Sequence, residues 1–304
     1  MAKRYRLCCL TKNRTNPAYV GAQIGARRLA QRLGCHLQSF VQDKPDDIDE
    51  QRALIHAAIA TKPDAILVSP VHQAAVDKAL EAVREAGIVL IYFISSSERV
   101  AAHSFMTSDN YALARDIAGY LIDHIGGRGD VAILEGLPQS PTTAPRTRGF
   151  LDAIGEHPGI HLVARAVGNY QFAEGKAATA EILRNHDGLR GVISANDIMA
   201  LGALEAMAEA GRSATMTGMN AMPDAIKAIK EGKLLATVSY DALSLVALAV
   251  QAAIRVLDGN PVPDVVSLGG EIIDATNCAA WDTPYEDRPI PDWHSAVGGA
   301  RLMT

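Results

Sequence analysis

The chain predicts an α/β fold built as two similar doubly wound parallel-sheet lobes, and three observations carry that reading. Short apolar runs alternate with longer amphipathic stretches along most of the 304 residues. Several of the runs, among them 65–68, 89–93 and 131–134, are apolar without a break, as strands covered on both faces are. The alternation stops and restarts near residue 108, leaving two series that are each about a domain long.

In the first series, residues 6–10, 36–41, 65–68 and 89–93 read as strands. Residues 17–33, 48–60 and 73–86 read as helices, with Gly34, the turn Lys62-Pro63-Asp64 and Gly87 at the joints. The second series opens on Asp109, a good N-cap for a helix over 109–125. Strands over 131–134, 161–167, 191–194, 215–218 and 235–239 follow. They are interleaved with helices over 146–154 and 173–183, one marked by Ile198, Leu201, Leu204 and Met207, and one led by Pro223 and ending at Lys230. A last long helix runs from Tyr240 to about Leu257 and is broken by Gly259-Asn260-Pro261. It starts no third domain. The tail from Thr283, rich in Pro, Asp and Gly, reads as a segment that hugs a surface or frays.

Bulk composition excludes several function classes. A net charge of −5 with no basic block argues against a nucleic-acid partner. No apolar stretch reaches the roughly 18 residues of a membrane span. The longest, residues 243–254, contains Gln251 and reads as a core helix. The basic start Met1-Ala-Lys-Arg-Tyr-Arg6 is followed by neither an apolar signal region nor a small-residue cleavage site. Two readings follow, a cytosolic chain or an exported one whose signal is absent from this sequence.

The four cysteines, Cys8, Cys9, Cys35 and Cys278, show no CxxC or His-rich spacing and read as small buried hydrophobes. A Cys8–Cys35 bridge between neighbouring strands stays open. Catalytic signatures are missing: no GxGxxG follows the first strand, and neither a GxxxxGK[ST] phosphate loop nor a GxSxG elbow is present. Gly21 and Gly25, four apart on one helix, suit close packing. The nine histidines lack metal spacing. No enzyme activity, cofactor or metal is expected.

Polar residues do stand where strands turn into helices. Asn196 and Asp197 follow the apolar run 191–195 directly, and in an open α/β sheet that edge is where ligands bind. With this placement, several segments together resemble the type I periplasmic solute-binding proteins, in their ribose and simple-sugar branch. They are the stretch from Thr11 to Tyr19 around Asn16-Pro17, then Thr107-Ser-Asp-Asn-Tyr111, Arg146-Thr-Arg-Gly-Phe150 and Ala195-Asn-Asp-Ile-Met-Ala-Leu-Gly202. The last runs from Gly218 through Asn220, Pro223 and Gly232 to Thr237. The matches are in order and span residues 5–275.

The resemblance implies two lobes joined by three crossing segments, near Ser108, Tyr240 and Gly269. Residues 1–108 plus 241–269 would form one lobe, and 109–240 plus 270–304 the other, with a ligand cleft between them and hinge closure on binding. It further implies the binding component of an ABC importer: periplasmic, monomeric, its export signal absent here, carrying a sugar or polyol to a membrane permease without entering the membrane.

Neighbouring hydroxyls are matched by planar side chains that offer two groups at once, and sugar C–H faces by aromatic rings. On that chemistry the resemblance picks out Lys12, Asn16, Tyr19, Ser69, Arg146, Tyr170, Asn196, Asn220 and Tyr240. Each has a plainer reading. Asn196 could cap the helix that follows, unless Asp197 does so. Arg146 could be a surface residue of a first helical turn, although a cation there opposes the helix dipole. Asn16 and Ser69 suit turns before Pro17 and Pro70, the three tyrosines suit half-buried packing, and Lys12 suits a solvated loop.

Where the family commonly carries an Asp at the end of the fourth strand, Tyr92-Phe-Ile94-Ser95 stands here. Asn220 and Tyr240 replace further family acids or amides. The depletion of carboxylates implies a shorter polyol, a deoxy sugar or a mildly anionic sugar derivative in preference to ribose or glucose. The competing reading is the effector-binding core of a LacI-type repressor. That class carries a helix-turn-helix segment before its first strand, whereas strand one here begins near Tyr5.

Overall fold

In the computed structural model, which describes residues 4–299, the alternation becomes two six-stranded sheets in two compact units. Of the described residues, the first unit takes 4–108, Asp241–Gly269 and 285–299. It contains β1 (Arg6–Thr11), α1 (Pro17–Arg32), β2 (His36–Val41), α2 (Ile48–Ala60), β3 (Ala65–Val68), α3 (Asp77–Glu85), β4 (Val89–Phe93) and β5 (Ser104–Ser108). Its strands lie in the order β2-β1-β3-β4-β5-β11, all parallel, where β11 is Val265–Leu268. Every residue of β3 is buried, which explains its uninterrupted apolar run. Pro17 starts α1 because a first-turn residue needs no N–H donor, and Asn16 caps the helix with its side-chain oxygen.

The long helix α9 (Ala242–Leu257) is largely apolar, with ten of its sixteen residues buried in this unit and none exposed. Gly25 of α1 lets it come close. A Cβ at Gly25 would lie 2.7 Å from the Leu243 carbonyl oxygen.

The closing tail also belongs here. It was expected to stay with the second lobe, but Tyr285 fills the space above Gly21, where a Cβ would meet its ring at 2.7 Å. Arg28 Nη1 donates to the carbonyls of Tyr285 and Arg288, both at 2.8 Å. Further on, Gln251 Nε2 donates to the Pro291 carbonyl at 3.0 Å, and the Arg255 guanidinium sits 5.2 Å from the Trp293 ring centroid. The chain therefore passes from one unit to the other four times, the fourth after Pro284, where three crossings were expected.

The second unit is Asp109–Tyr240 with Gly270–Pro284. It contains α4 (Asn110–His124), β6 (Gly129–Glu135), α5 (Thr143–Gly155), β7 (Ile160–Val167), α6 (Phe172–Asn185), β8 (Leu189–Ser194), α7 (Asp197–Glu209), β9 (Thr215–Met219), α8 (Pro223–Lys230), β10 (Ala236–Val238) and β12 (Ile272–Ile273). The sheet order is β7-β6-β8-β9-β10-β12, with only β12 antiparallel to its neighbour. Taking the first five strands of each series, both sheets have the order 2-1-3-4-5. Such a sheet reverses direction between its first and third strands, and that reversal is its ligand-binding point.

Some boundaries moved. The helix expected over 73–86 begins at Asp77, because His72 Nδ1 accepts from the Ala74 and Ala75 N–H groups and holds a turn instead. The helix expected from Arg146 begins at Thr143, since Pro145 is tolerated in a first turn. Strand β5 was not read from the sequence, and β11 and β12 are the short extended pieces expected after the Gly259-Asn260-Pro261 break. All four cysteines are free, so Cys8 and Cys35 are not bridged, and burial pushes the Cys9 thiol up to about 12. Among the described residues no helix is long and apolar enough to cross a membrane, and no His/Cys/Asp/Glu cluster could hold a metal.

Candidate ligand-binding site

The reversal point of the second sheet lies beyond β6 and β8, and five of the nine predicted residues meet near it. Arg146, in the second turn's start of α5, is 3% exposed. Its Nε donates to Asn110 Oδ1 at 2.9 Å and its Nη1 to the Ala195 carbonyl at 2.5 Å. Two aromatic rings flank the guanidinium, with centroids 4.9 Å away for Tyr240 and 5.8 Å for Tyr170. Tyr170 hydroxyl shares hydrogen bonds with Thr142 at 2.9 Å and Thr143 at 3.1 Å. Its ring lies against Gly136, just past β6, where a Cβ would be 2.0 Å from the ring. Glycine is required there for the ring to reach its place.

Asn196 settles the capping question left by the sequence. Its Oδ1 accepts from the Met199 N–H at 3.0 Å and caps α7, while Nδ2 lies 3.5 Å from the Tyr170 carbonyl. Asp197 does other work: its carboxylate accepts from the Met222 N–H at 2.8 Å and the Thr237 hydroxyl at 2.6 Å. That carboxylate thus fixes the loop carrying Asn220 and the strand that ends at Tyr240. Asn220 Nδ2 lies 3.5 Å from the Tyr240 carbonyl.

In the first unit the reversal point lies beyond β1 and β3, where the other four predicted residues are found. Lys12, read as a loop lysine by default, is buried at 2% exposure. Asp46 lies close enough to interact with it electrostatically, and the Asp46 side chain also accepts from Asn13 Nδ2 at 3.1 Å. Burial raises the Asp46 pKa, with Lys12 and Asn13 opposing that rise. Asn16 is buried and spends Oδ1 on the Ala18 N–H at 3.0 Å. Tyr19 is buried in the first turn of α1. Ser69, fully buried, has its hydroxyl 3.4 Å from that of Ser95, and its carbonyl accepts from Gln51 Nε2 at 3.0 Å.

Sequence reasoning missed Asn13, Asp46, Ser95, Asn110 and Thr142, whose partners are distant in the chain. It also missed a backbone signal. Among the described residues, the non-glycine positions with positive φ are Asp46 (56°), Lys62 (52°), Ile94 (67°), Asn169 (49°), Tyr170 (59°), Asn220 (123°) and Ala221 (52°). All but Lys62 lie in segments that leave the carboxyl ends of β2, β4, β7 and β9. Such strain persists where surrounding structure imposes it, and it concentrates at functional sites. Ile94 is the most telling, because a β-branched residue resists that region strongly.

Two parallel sheets of one topology, each with polar side chains and strained backbone at its reversal point, define a two-lobed α/β binding protein. The family model for the periplasmic binding protein domain matches residues 9–261, and the chain belongs to that family. The ribose import binding protein RbsB of Escherichia coli (strain K12) is 30% identical over 249 residues, covering 81% of this chain and 83% of that protein. A solved ABC transporter periplasmic solute binding protein from Actinobacillus succinogenes 130z, with bound D-allose, superposes with a TM-score of 0.87 at 28% identity, covering 91% of this chain and 99% of that one. An ABC transporter solute binding protein from Mycobacterium smegmatis, with bound glycerol, gives 0.85 at 27% identity, covering 91% and 96%.

Proposed function

We propose that the protein is the solute-binding component of an ABC-type importer. It takes a small sugar, polyol or sugar derivative in the periplasm and presents it, as a monomer, to a membrane permease. The observation that carries this reading is the Arg146 group: a buried guanidinium between two tyrosine rings, with two asparagine amides nearby. Rings cover the C–H side of a sugar, and planar amides and guanidinium N–H groups meet adjacent hydroxyls. The names of the relatives support the same class of ligand.

The ligand is held by Arg146, Tyr170, Asn196, Asn220 and Tyr240 from one lobe and by Lys12, Asn16, Tyr19 and Ser69 from the other. A ligand that engages both lobes has differential affinity for a closed state and shifts the population toward it. The permease reads that state. Neither catalysis nor a cofactor enters this scheme.

A thermal-shift screen over sugars, polyols and sugar acids tests the proposal. Ligand at a hundred times its Kd stabilises by about 2.7 kcal/mol, enough to move the midpoint clearly. Absence of any shift across the screen overturns the reading.

A further inference from the structure

We infer that the ligand carries an anionic oxygen, and that Arg146 receives it: the substrate class is a sugar acid or a similar sugar oxyanion rather than a neutral sugar. The inference rests on the sugar-binding reading above and narrows it.

The argument starts from charge balance. Arg146 is 3% exposed, and a guanidinium cannot lose its proton when buried. Its described partners are the Asn110 amide oxygen, the Ala195 carbonyl and two ring faces, none of which bears a full negative charge. No carboxylate among the described residues pairs with it, and its Nη2 donates to none of them. Buried charges are ordinarily paired, because the desolvation of a lone ion is costly.

The carboxylates of this unit that could supply the charge are engaged elsewhere. Asp109 caps α4 through the Tyr111 and Ala112 N–H groups. Glu135, at the end of β6, pairs with Arg165 at 2.6 Å. Asp197 serves Met222 and Thr237. The local dipole adds to the imbalance: α5 begins beside this cluster with no acidic residue in its first turn, and Thr142 makes no side-chain cap bond. Lys12 belongs to the other unit and does not enter the inference.

An anionic ligand oxygen completes this arrangement. A carboxylate or phosphate matches the forked donors of a guanidinium, and such charge-assisted bonds are about twice as strong as neutral ones. A neutral sugar would leave the charge as unbalanced as before.

Calorimetry on the wild-type protein, in chloride buffer at neutral pH, decides the matter with matched pairs: ribose against ribonate and ribose 5-phosphate, and glucose against glucuronate. At least one oxyanion is expected to bind tenfold or more tighter than its parent sugar. The two anionic arms separate a carboxylate from a phosphate ligand. Arg146→Gln should erase the preference, and Arg146→Lys, which keeps the charge, should retain part of it. Parent sugars binding as tightly as their acids would overturn the inference and leave the sugar-binding reading standing. No binding by any of the five, with a neutral sugar or polyol giving the shift in the wider screen, would overturn the inference alone, and no shift anywhere would overturn both. A preference undiminished in folded Arg146→Gln would overturn the assignment to Arg146.

Discussion

The Tyr240 ring, just beyond β10, stands with its centroid 4.9 Å from the Arg146 guanidinium carbon. Tyr240 is 1% exposed, so this cation–π contact is shielded from water and worth about 2 kcal/mol. It joins the segment that follows β10 to helix α5 of the same unit. The ring thereby fixes the direction of the donors that remain on Arg146.

Tyr240→Leu is expected to lower stability by about 2 kcal/mol through that lost contact and to weaken ligand binding at least tenfold. Urea unfolding and calorimetry read the two effects separately. Unchanged affinity in a folded variant would remove Tyr240 from the site.

Asn196 performs two tasks with two different atoms. Oδ1 caps α7, whereas Nδ2 is held only at 3.5 Å by the Tyr170 carbonyl and stays available to a ligand oxygen. Asn196→Asp keeps a good N-cap, so stability should change by less than about 0.5 kcal/mol, but it removes the amide donor and places a carboxylate near Arg146. Affinity should then fall at least tenfold. Asn196→Ala should cost both, with about 1 kcal/mol of stability lost. Full affinity in Asn196→Asp would leave Asn196 as a cap alone.

Gly218 sits against the Asp197 carboxylate, and a Cβ there would lie 2.2 Å from Oδ1. Because Asp197 is fully buried and fixes both Met222 and Thr237, it has no room to retreat. Gly218→Ala is therefore expected to cost about 2–3 kcal/mol, as overpacking in a rigid core does. Denaturant unfolding of the variant checks this, and a loss below 0.5 kcal/mol would show that the loop yields.

Most of the fold was legible because it is written locally. The uninterrupted run of β3, the Asn16-Pro17 start of α1 and the Asp109 cap each declare themselves within a few residues. Strand β5 was hidden, since Ser104-Phe-Met-Thr-Ser108 carries a polar residue at three of five positions and is a strand through its place between β4 and β11. The site was less legible for the same reason. Arg146 meets Asn110 across 36 residues and Ala195 across 49, and Lys12 interacts electrostatically with Asp46, which no spacing rule connects to it. Glycine spacing on α1 hinted at close packing, but nothing in it announced that Tyr285 would fill the place above Gly21.

The Tyr120 hydroxyl of α4 donates to Asp274 Oδ2, tying the segment after β12 to this helix. That bond pushes the Tyr120 pKa up from 10.0 to about 12, with burial adding to the rise. The Asp274 carboxyl is held below its usual 3.8, first by the Thr276 hydroxyl and then by Tyr120. The signs fix the pH window. The depressed carboxyl contributes stability that is present above pH 3.8 and lost as pH falls through its folded value, and the raised phenol contributes stability that is present below pH 10.0 and lost as pH rises through about 12. Both groups are half-buried, so screening trims the bond to about 1 kcal/mol. Tyr120→Phe should accordingly be less stable than wild type by about that amount across pH 5–9, with the gap closing in acid below the Asp274 transition. Urea midpoints of both proteins measured from pH 3 to 9 test this, and a gap that widens in acid would show that another group governs the contact.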